Sequence, residues 1–482
     1  MNVLLGCIAD DFTGASDLAA ILSRSGVAVN LRLGVPETDA PGADGDDLAP
    51  FEIVALKCRT SPPADAVREA LDAWSWLAAR GARRAYWKYC STFDSTPEGN
   101  IGPVADALLE AVHGRGRAAA ADADAAVAGG RGGGAASTDA ADEADASSEV
   151  ELATVGELAS SGPASPLTIH CPAFPENGRS VYRSVLFVGD LPLDESPMRD
   201  HPLTPMRDAN LVRVLRPQVR GEVGAITWPT VRAGVESLRE RLDSLAREGV
   251  RHVIVDALDA DDLLHIVRAS ERLPLLCGGS ALALHLPALF RVRGWLAGTP
   301  EAAPAAAPDG GRMVLAGSCS AMTRRQVERF AETAPTFRLD PLALARDGQL
   351  DAARGWLDAQ SPASAPQVVA SAPPEAVETA QRELGRERAG TLVEEALGAL
   401  ARHAVERGRR SLVVAGGESA GAVCRALGVT RLRVGREIAP GVPWTHAEHP
   451  DGALALALKS GNFGEESFFG DAFAALEGGD DP

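Results

Sequence analysis

Short apolar runs alternate, along almost the whole chain, with stretches in which apolar residues recur every three or four positions. The runs predict buried strands, and the periodic stretches predict amphipathic helices. In the first half the runs fall at 3–9, 27–33, 52–57, 84–89, 167–170, 225–227 and 252–255. Helices are predicted there at 14–24, 62–80, 99–113, 178–187, 229–248 and 260–271. The rhythm resumes at 312, with strands at 312–316, 336–339, 368–370, 411–415 and 454–459. The matching helices are predicted at 321–334, 387–407, 420–427 and 465–476. Strands that alternate with helices predict an α/β protein with parallel sheets.

Two segments break the rhythm. Residues 113–165 are rich in Ala, Gly, Asp and Ser and nearly free of large apolar side chains. Such a segment cannot bury enough surface to offset its ordering entropy, so it is expected to be a disordered insert. Residues 297–311, "AGTPEAAPAAAPDGG", have linker composition. The expected fold is therefore α/β with two domains, 1–296 and 312–482. Each is built on a largely parallel sheet flanked by helices.

The net charge of −19 argues against nucleic acid and anionic membranes as partners. Nine acids and three arginines between 113 and 165 account for −6 of it. The seven cysteines are dispersed, with no C-x-x-C pair and no zinc spacing. They read as reduced thiols, which sets the expected location in the cytoplasm. The start "MNVLLGCIADD" lacks a basic region and is not read as a signal peptide.

In open parallel sheets ligands bind beyond the carboxyl ends of the strands. The first strand runs into Asp10 and Asp11, the third into Arg59, and the fourth into Lys88 and the loop carrying Asp94 and Ser95. If these strands are neighbours, the six residues line one pocket suited to a hydroxylated, anionic small molecule. A single Asp before a helix is usually a cap. Two adjacent ones leave one carboxylate over.

Four later turns carry small residues after a strand: 277–280, 317–320, 416–419 and 459–464. Glycine lets backbone approach a ligand, and helix N-termini offer free N–H groups to phosphates. Together they point to a nucleotide site. No G-x-x-x-x-G-K-[ST] is present, so it is not a P-loop. A rival reading takes Gly417-Glu418-Ser419-Ala420-Gly421 as a G-x-S-x-G nucleophile elbow, with Ser419 as the serine of a hydrolase. Too little chain follows it for the usual strands, and no oxyanion loop precedes it. His201, in "SPMRDHPLTPM", is a loop histidine that could contact a ligand.

The stretches "ADDFTGASDLA", "KYCSTFDSTPEGNIGPVADALL", "CGGSALA", "LAGSCSAMTRRQV", "VVAGGESAGAVCRALGV" and "LKSGNFGEESFF" together resemble the four-carbon acid sugar kinase family. The resemblance covers nearly the whole chain outside 113–165. "HPLTPM" is most similar to the 3-oxo-tetronate kinase branch rather than the threonate or erythronate kinases. It implies a sugar-acid domain followed by an ATP domain, and phosphorylation of a terminal 4-hydroxyl. By motif match it implies ATP contacts at Ser280, Gly416, Gly417, Glu418, Ser419 and Gly461. The chain departs from the family at "GGESAG", where the family reads Gly-Gly-Glu-Thr-Ser-Gly.

The expectation is an ATP- and Mg²⁺-dependent kinase with Asp11 or Asp10 as the base and no protein metal ligands identified. Substrate contacts are assigned to Asp10, Asp11, Arg59, Lys88, Asp94 and Ser95. A sugar-acid sensor without chemistry is the non-enzyme alternative. The expected partners are a sugar acid and ATP, with no nucleic acid and no membrane, and a homodimer is left open.

Overall fold

The computed structural model describes residues 2–37, 48–129, 166–200, 204–297, 306–346 and 348–477, with side chains in the long helix described to residue 115. The strands of its first part are β1 (Leu5–Ala9), β2 (Val29–Leu33), β3 (Phe51–Ala55), β4 (Arg84–Lys88) and β5 (Thr168–Cys171). They are followed by β6 (Arg179–Tyr182), β7 (Val185–Val188), β8 (Leu191–Pro192), β9 (Glu222–Ile226), β10 (Val250–Val255) and β11 (Leu275–Gly278). The second part adds β12 (Gly311–Ala316), β13 (Thr336–Arg338), β14 (Gln367–Val369) and β15 (Arg409–Ala415). It ends with β16 (Arg431–Ala439), β17 (Val442–Ala447) and β18 (Leu454–Lys459).

Among the described residues fifteen strands form one sheet, ordered β13-β14-β12-β15-β18-β17-β16-β2-β3-β1-β4-β11-β5-β10-β9. From β2 to β9 every pairing is parallel, and so is every pairing from β13 to β18. All five residues of β1 are buried, as expected of a strand covered by helices on both faces. The two parallel halves are thus not separate sheets. The antiparallel pair β16–β17 splices them, through β16 on β2.

This splice decides where the strand ends meet. In a flat sheet it would send the carboxyl ends of the two halves to opposite edges. Each strand-to-strand step adds a twist of about −20 to −25°, so the six steps from β1 to β15 accumulate roughly 120–150°. That rotation turns the two sets of carboxyl ends toward the same side of the sheet. A Cβ on Gly417, after β15, would lie 3.3 Å from the Thr13 methyl, after β1.

Two expectations are corrected. Residues 178–187 are not a helix but the hairpin β6–β7, with Tyr182 paired to Val185. Arg183 and Ser184 form its two-residue turn with φ of 50° and 63°, the geometry of a tight hairpin. Neither is glycine. The buried Asp256 carboxylate compensates by accepting both their N–H groups, at 2.6 and 2.8 Å. The helix predicted to stop at 113 runs from Ile101 to Gly129. Alanine has the highest helix propensity of any residue, and the continuation is rich in it, which extends the helix without an apolar face. The rest of the expected insert, most of the expected linker and His201 lie outside the described residues.

Candidate functional site

β1 sits between β3 and β4, with Ala9 level with both Ala55 and Lys88. The three strand ends predicted to converge are therefore neighbours. The Asp10 carbonyl accepts the N–H groups of Cys58 and Arg59, and the Asp10 N–H donates to the Lys88 carbonyl, so the three loops are tied at the backbone.

Asp11 is the N-cap of helix Phe12–Ser23 and accepts from the Gly14 N–H at 2.7 Å and the Thr13 hydroxyl at 3.0 Å. The cap thus accounts for one of the paired aspartates. The other, Asp10, is bound in a fork by Arg59, with Nε and Nη2 each 2.8 Å from its oxygens. Arg59 Nη1 lies 3.1 Å from Asp11 and 3.7 Å from Asp94. One guanidinium therefore organises three carboxylates. Burial pushes Asp10 up, with Arg59 pulling against it. Burial pushes Asp11 up too, but Arg59, Lys88 and the cap hydrogen bonds outweigh it and hold Asp11 below the ordinary range. The Asp11 side chain is 28% exposed and that of Asp10 only 5%, so Asp11 is the one that can meet a ligand.

Lys88 is buried, and its ammonium donates to the Tyr89 carbonyl at 2.8 Å. Tyr89 is fixed in turn by a buried chain, Tyr89 Oη to His170 Nδ1, His170 Nε2 to His252 Nδ1, and His252 Nε2 to Asp106, each 3.0 Å. Burial pushes Asp106 up, but hydrogen bonds from His252 and the Arg220 N–H hold it low, so its carboxylate only accepts. With both rings neutral, that places the proton on Nε2 of each histidine and makes Tyr89 the donor at the far end. Burial holds His170 well below its ordinary value, so its own ring is neutral.

Asp94 accepts from the Thr92 hydroxyl at 2.6 Å and follows Phe93, whose φ is 57°. Strain of this kind persists only where packing enforces it. Here Phe93 is fully buried against Tyr89 at 5.3 Å. Ser95 points away to Gln218, at 3.1 Å. Asn100, a polar residue of the same loop not counted among the substrate contacts, donates its amide to the carbonyls of Cys58, Arg59 and Ser61 and so shapes the Arg59 loop.

Asp17 was also missed. It is buried, one oxygen accepts from Ser280 Oγ, and the other has no hydrogen-bond partner among the described residues. That free oxygen faces Gly441 of the β16–β17 turn, where a Cβ would come within 2.6 Å of it. Gly441 also has φ of 79°, so glycine is required twice over. Ser280 therefore belongs, by position, to the Asp17 side of the cleft rather than to the turns of the second half. Burial raises Asp17 from an ordinary 3.8 to about 6. The folded chain then holds this proton more tightly than the unfolded one. Stability falls as pH rises through that window, and the full cost applies above it. Asp17→Asn is expected to be more stable than the parent at pH 7.5, by at most about 3 kcal/mol, and to converge with it below pH 4. Urea unfolding at the two pH values checks this; a difference independent of pH would contradict it.

In the second half, Ala415 is level with both Ala316 and Lys459, so the turns after β12, β15 and β18 are adjacent. Gly416 has φ of 122°, and a Cβ there would sit 3.1 Å from the Ser318 nitrogen. Helix Gly417–Ala426 starts here with Ser419 buried and Glu418 exposed. Glu418 pairs with Lys57 across the cleft. Among the described residues no histidine hydrogen-bonds Ser419; His446 lies against Gly435, and His449 lies beside Asp451. The serine-hydrolase reading therefore has no base in place. No group of three or more His, Cys, Asp or Glu among the described residues is arranged to hold a metal ion, and Asp10, Asp11 and Asp94 face Arg59.

Two family models match the chain, a sugar-binding N-terminal domain over residues 5–286 and a nucleotide-binding C-terminal domain over residues 313–469. A Burkholderia multivorans protein named 3-oxo-tetronate kinase is 46% identical over 476 residues, covering 98% of both chains. A Cupriavidus necator protein of the same name is 45% identical over 477 residues, again covering 98% of both. The crystal structure of a Salmonella typhimurium LT2 protein, provisionally described as a tRNA synthase, matches with a TM-score of 0.76 at 35% identity. That match covers 97% of this chain and 98% of the other. A Haemophilus influenzae protein of the DUF1537 family matches with a TM-score of 0.71 at 34% identity, covering 98% of this chain and 100% of its own.

Proposed function

This chain belongs to the four-carbon acid sugar kinase family, and we propose that it transfers the γ-phosphoryl group of ATP to the terminal 4-hydroxyl of a 3-oxo-tetronate. One observation carries the reading beyond the relatives' names: Thr13, beside the capped Asp11, lies against Gly417, the first residue of the helix that follows β15. A carboxylate cluster and a set of glycine turns at helix starts thus share one cleft. That is what transfer between a sugar acid and a nucleotide needs.

In this reading residues 1–296 bind the sugar acid and 312–482 the nucleotide. Asp11 accepts the proton of the 4-hydroxyl as that oxygen bonds to the γ-phosphorus and the bond to ADP breaks. Its low pKa suits a loose transition state, where positioning and charge stabilisation dominate. Arg59 is saturated by Asp10 and Asp11, so it sets their geometry instead of gripping the substrate carboxylate. Lys88 is the cation left to offset substrate or phosphoryl charge. Asp10 anchors Arg59 behind the substrate, Asp94 adds a carboxylate for the substrate hydroxyls, and Ser95 shapes their loop. Ser280, Gly416, Gly417, Glu418, Ser419 and Gly461 hold the nucleotide, Ser280 from across the cleft. Magnesium enters on the phosphates, with oxygen and water ligands rather than a protein cage.

The unpaired cysteines support a cytoplasmic setting, and among the described residues no helix is long and apolar enough to cross a membrane. An RNA-directed role has less support, because a net charge of −19 opposes a polyanion. A threonate or erythronate kinase is the nearer alternative. Initial rates across both hands of 3-oxo-tetronate, threonate and erythronate separate them. The highest kcat/KM is expected for a 3-oxo-tetronate; a preference of tenfold or more for a reduced acid would move the chain to the other branch.

A further inference from the structure

Lys459 ends β18 and is fully buried, yet among the described residues no carboxylate pairs with it. Its ammonium donates instead to the Ser460 carbonyl at 2.9 Å, the Gly461 carbonyl at 3.0 Å and the Thr323 hydroxyl at 3.1 Å. The Gly461 carbonyl also accepts from Ser320 Oγ at 2.6 Å and Thr323 Oγ1 at 2.7 Å. Three donors therefore converge on one carbonyl. Burial alone pulls the lysine down to about 7. A buried cation without a counter-charge is costly, and an apolar side chain would fill the same space without that cost.

The arrangement has a geometric consequence. In a planar trans peptide the C=O and the following N–H point in opposite directions. Pulling the Ser460 and Gly461 carbonyls toward Lys459 turns the N–H groups of Gly461 and Asn462 away from it. Neither N–H has an acceptor within the chain among the described residues. Successive free N–H groups of this kind form an anion-binding concavity.

We propose that Lys459 is a positioning residue of the nucleotide site, which draws two carbonyls inward so that the N–H groups of Gly461 and Asn462 receive a phosphate, with its own charge behind them. This rests on the reading that the second half binds ATP. The phosphates then supply the missing counter-charge.

Calorimetric titration of ATP, ADP and adenosine into the parent, Lys459→Met, Lys459→Gln and Lys459→Arg tests it. Lys459→Met is expected to weaken ATP about 10- to 100-fold and ADP by less, on the scale of lost charge-assisted hydrogen bonds. Adenosine is expected to change less than twofold, and Lys459→Arg to keep most of the ATP affinity. A merely structural lysine would not discriminate by phosphate number. Equal losses for ATP and adenosine, or no loss of ATP affinity, would overturn the proposal. If Lys459→Met does not fold, Lys459→Gln, which keeps donors for the carbonyls without charge, is read the same way. A parent protein that binds no adenine nucleotide would overturn the underlying nucleotide reading, and the proposal with it.

Discussion

Arg59→Met is expected to lose measurable turnover and about 3–5 kcal/mol of stability together. The reason is arithmetic of charge in a confined space. Asp10 and Asp94 are buried, Asp11 is half-buried, and all three face this one guanidinium. Without it the carboxylates repel one another, and two of them have little water to turn to. Arg59→Lys is expected to recover only part of either property, because an ammonium cannot reproduce the fork held on Asp10. Urea unfolding with initial rates on the same preparations checks both. Normal turnover in Arg59→Met would mean that the cluster is structural and the chemistry lies elsewhere.

Asp11→Asn is expected to lower kcat by about 10²- to 10⁴-fold, the usual contribution of a positioned base. Its stability should fall only modestly, by the ion pair with Arg59 that is lost, while the helix cap is kept. Asparagine caps helices as well as aspartate does, and its side-chain oxygen can still accept from the Gly14 N–H. The substitution therefore separates the cap from the chemistry, which alanine would not. ATP affinity is expected to stay within about twofold. A kcat near the parent value would remove Asp11 as the base and pass the role to another carboxylate of the cleft.

Much of this site could be read from sequence because it is built at strand ends. The run into Asp10-Asp11, the loop at Arg59 and the end at Lys88 each stood out locally, and the order β3-β1-β4 makes them neighbours. The adjacency of the Gly317, Gly416 and Gly461 turns follows from the order β12-β15-β18 for the same reason. Asp17 gave no such signal. It sits in a run of small residues, and its partner Ser280 is 263 positions away. Lys459 opened one of the turns assigned to the nucleotide, but its burial could not be read from one residue. The hairpin at 179–188 was misjudged because its turn uses Arg183 and Ser184 rather than glycine, and the backbone that holds them is answered by Asp256 from a distant strand. The splice through β16 and β17 was unseen as well. Without it the accumulated twist, and hence the facing of the two halves, could not be derived.

The central claim is that the two sets of strand ends form one phosphoryl-transfer site. The most direct measurement is ³¹P NMR with mass detection on the protein, Mg·ATP and a 3-oxo-tetronate. The expected result is one phosphomonoester for each ADP formed, with its phosphorus coupled to the two protons on C4. ATP bound but no sugar phosphate from this acid or its reduced counterparts, or ATP cleaved only to inorganic phosphate, would contradict it.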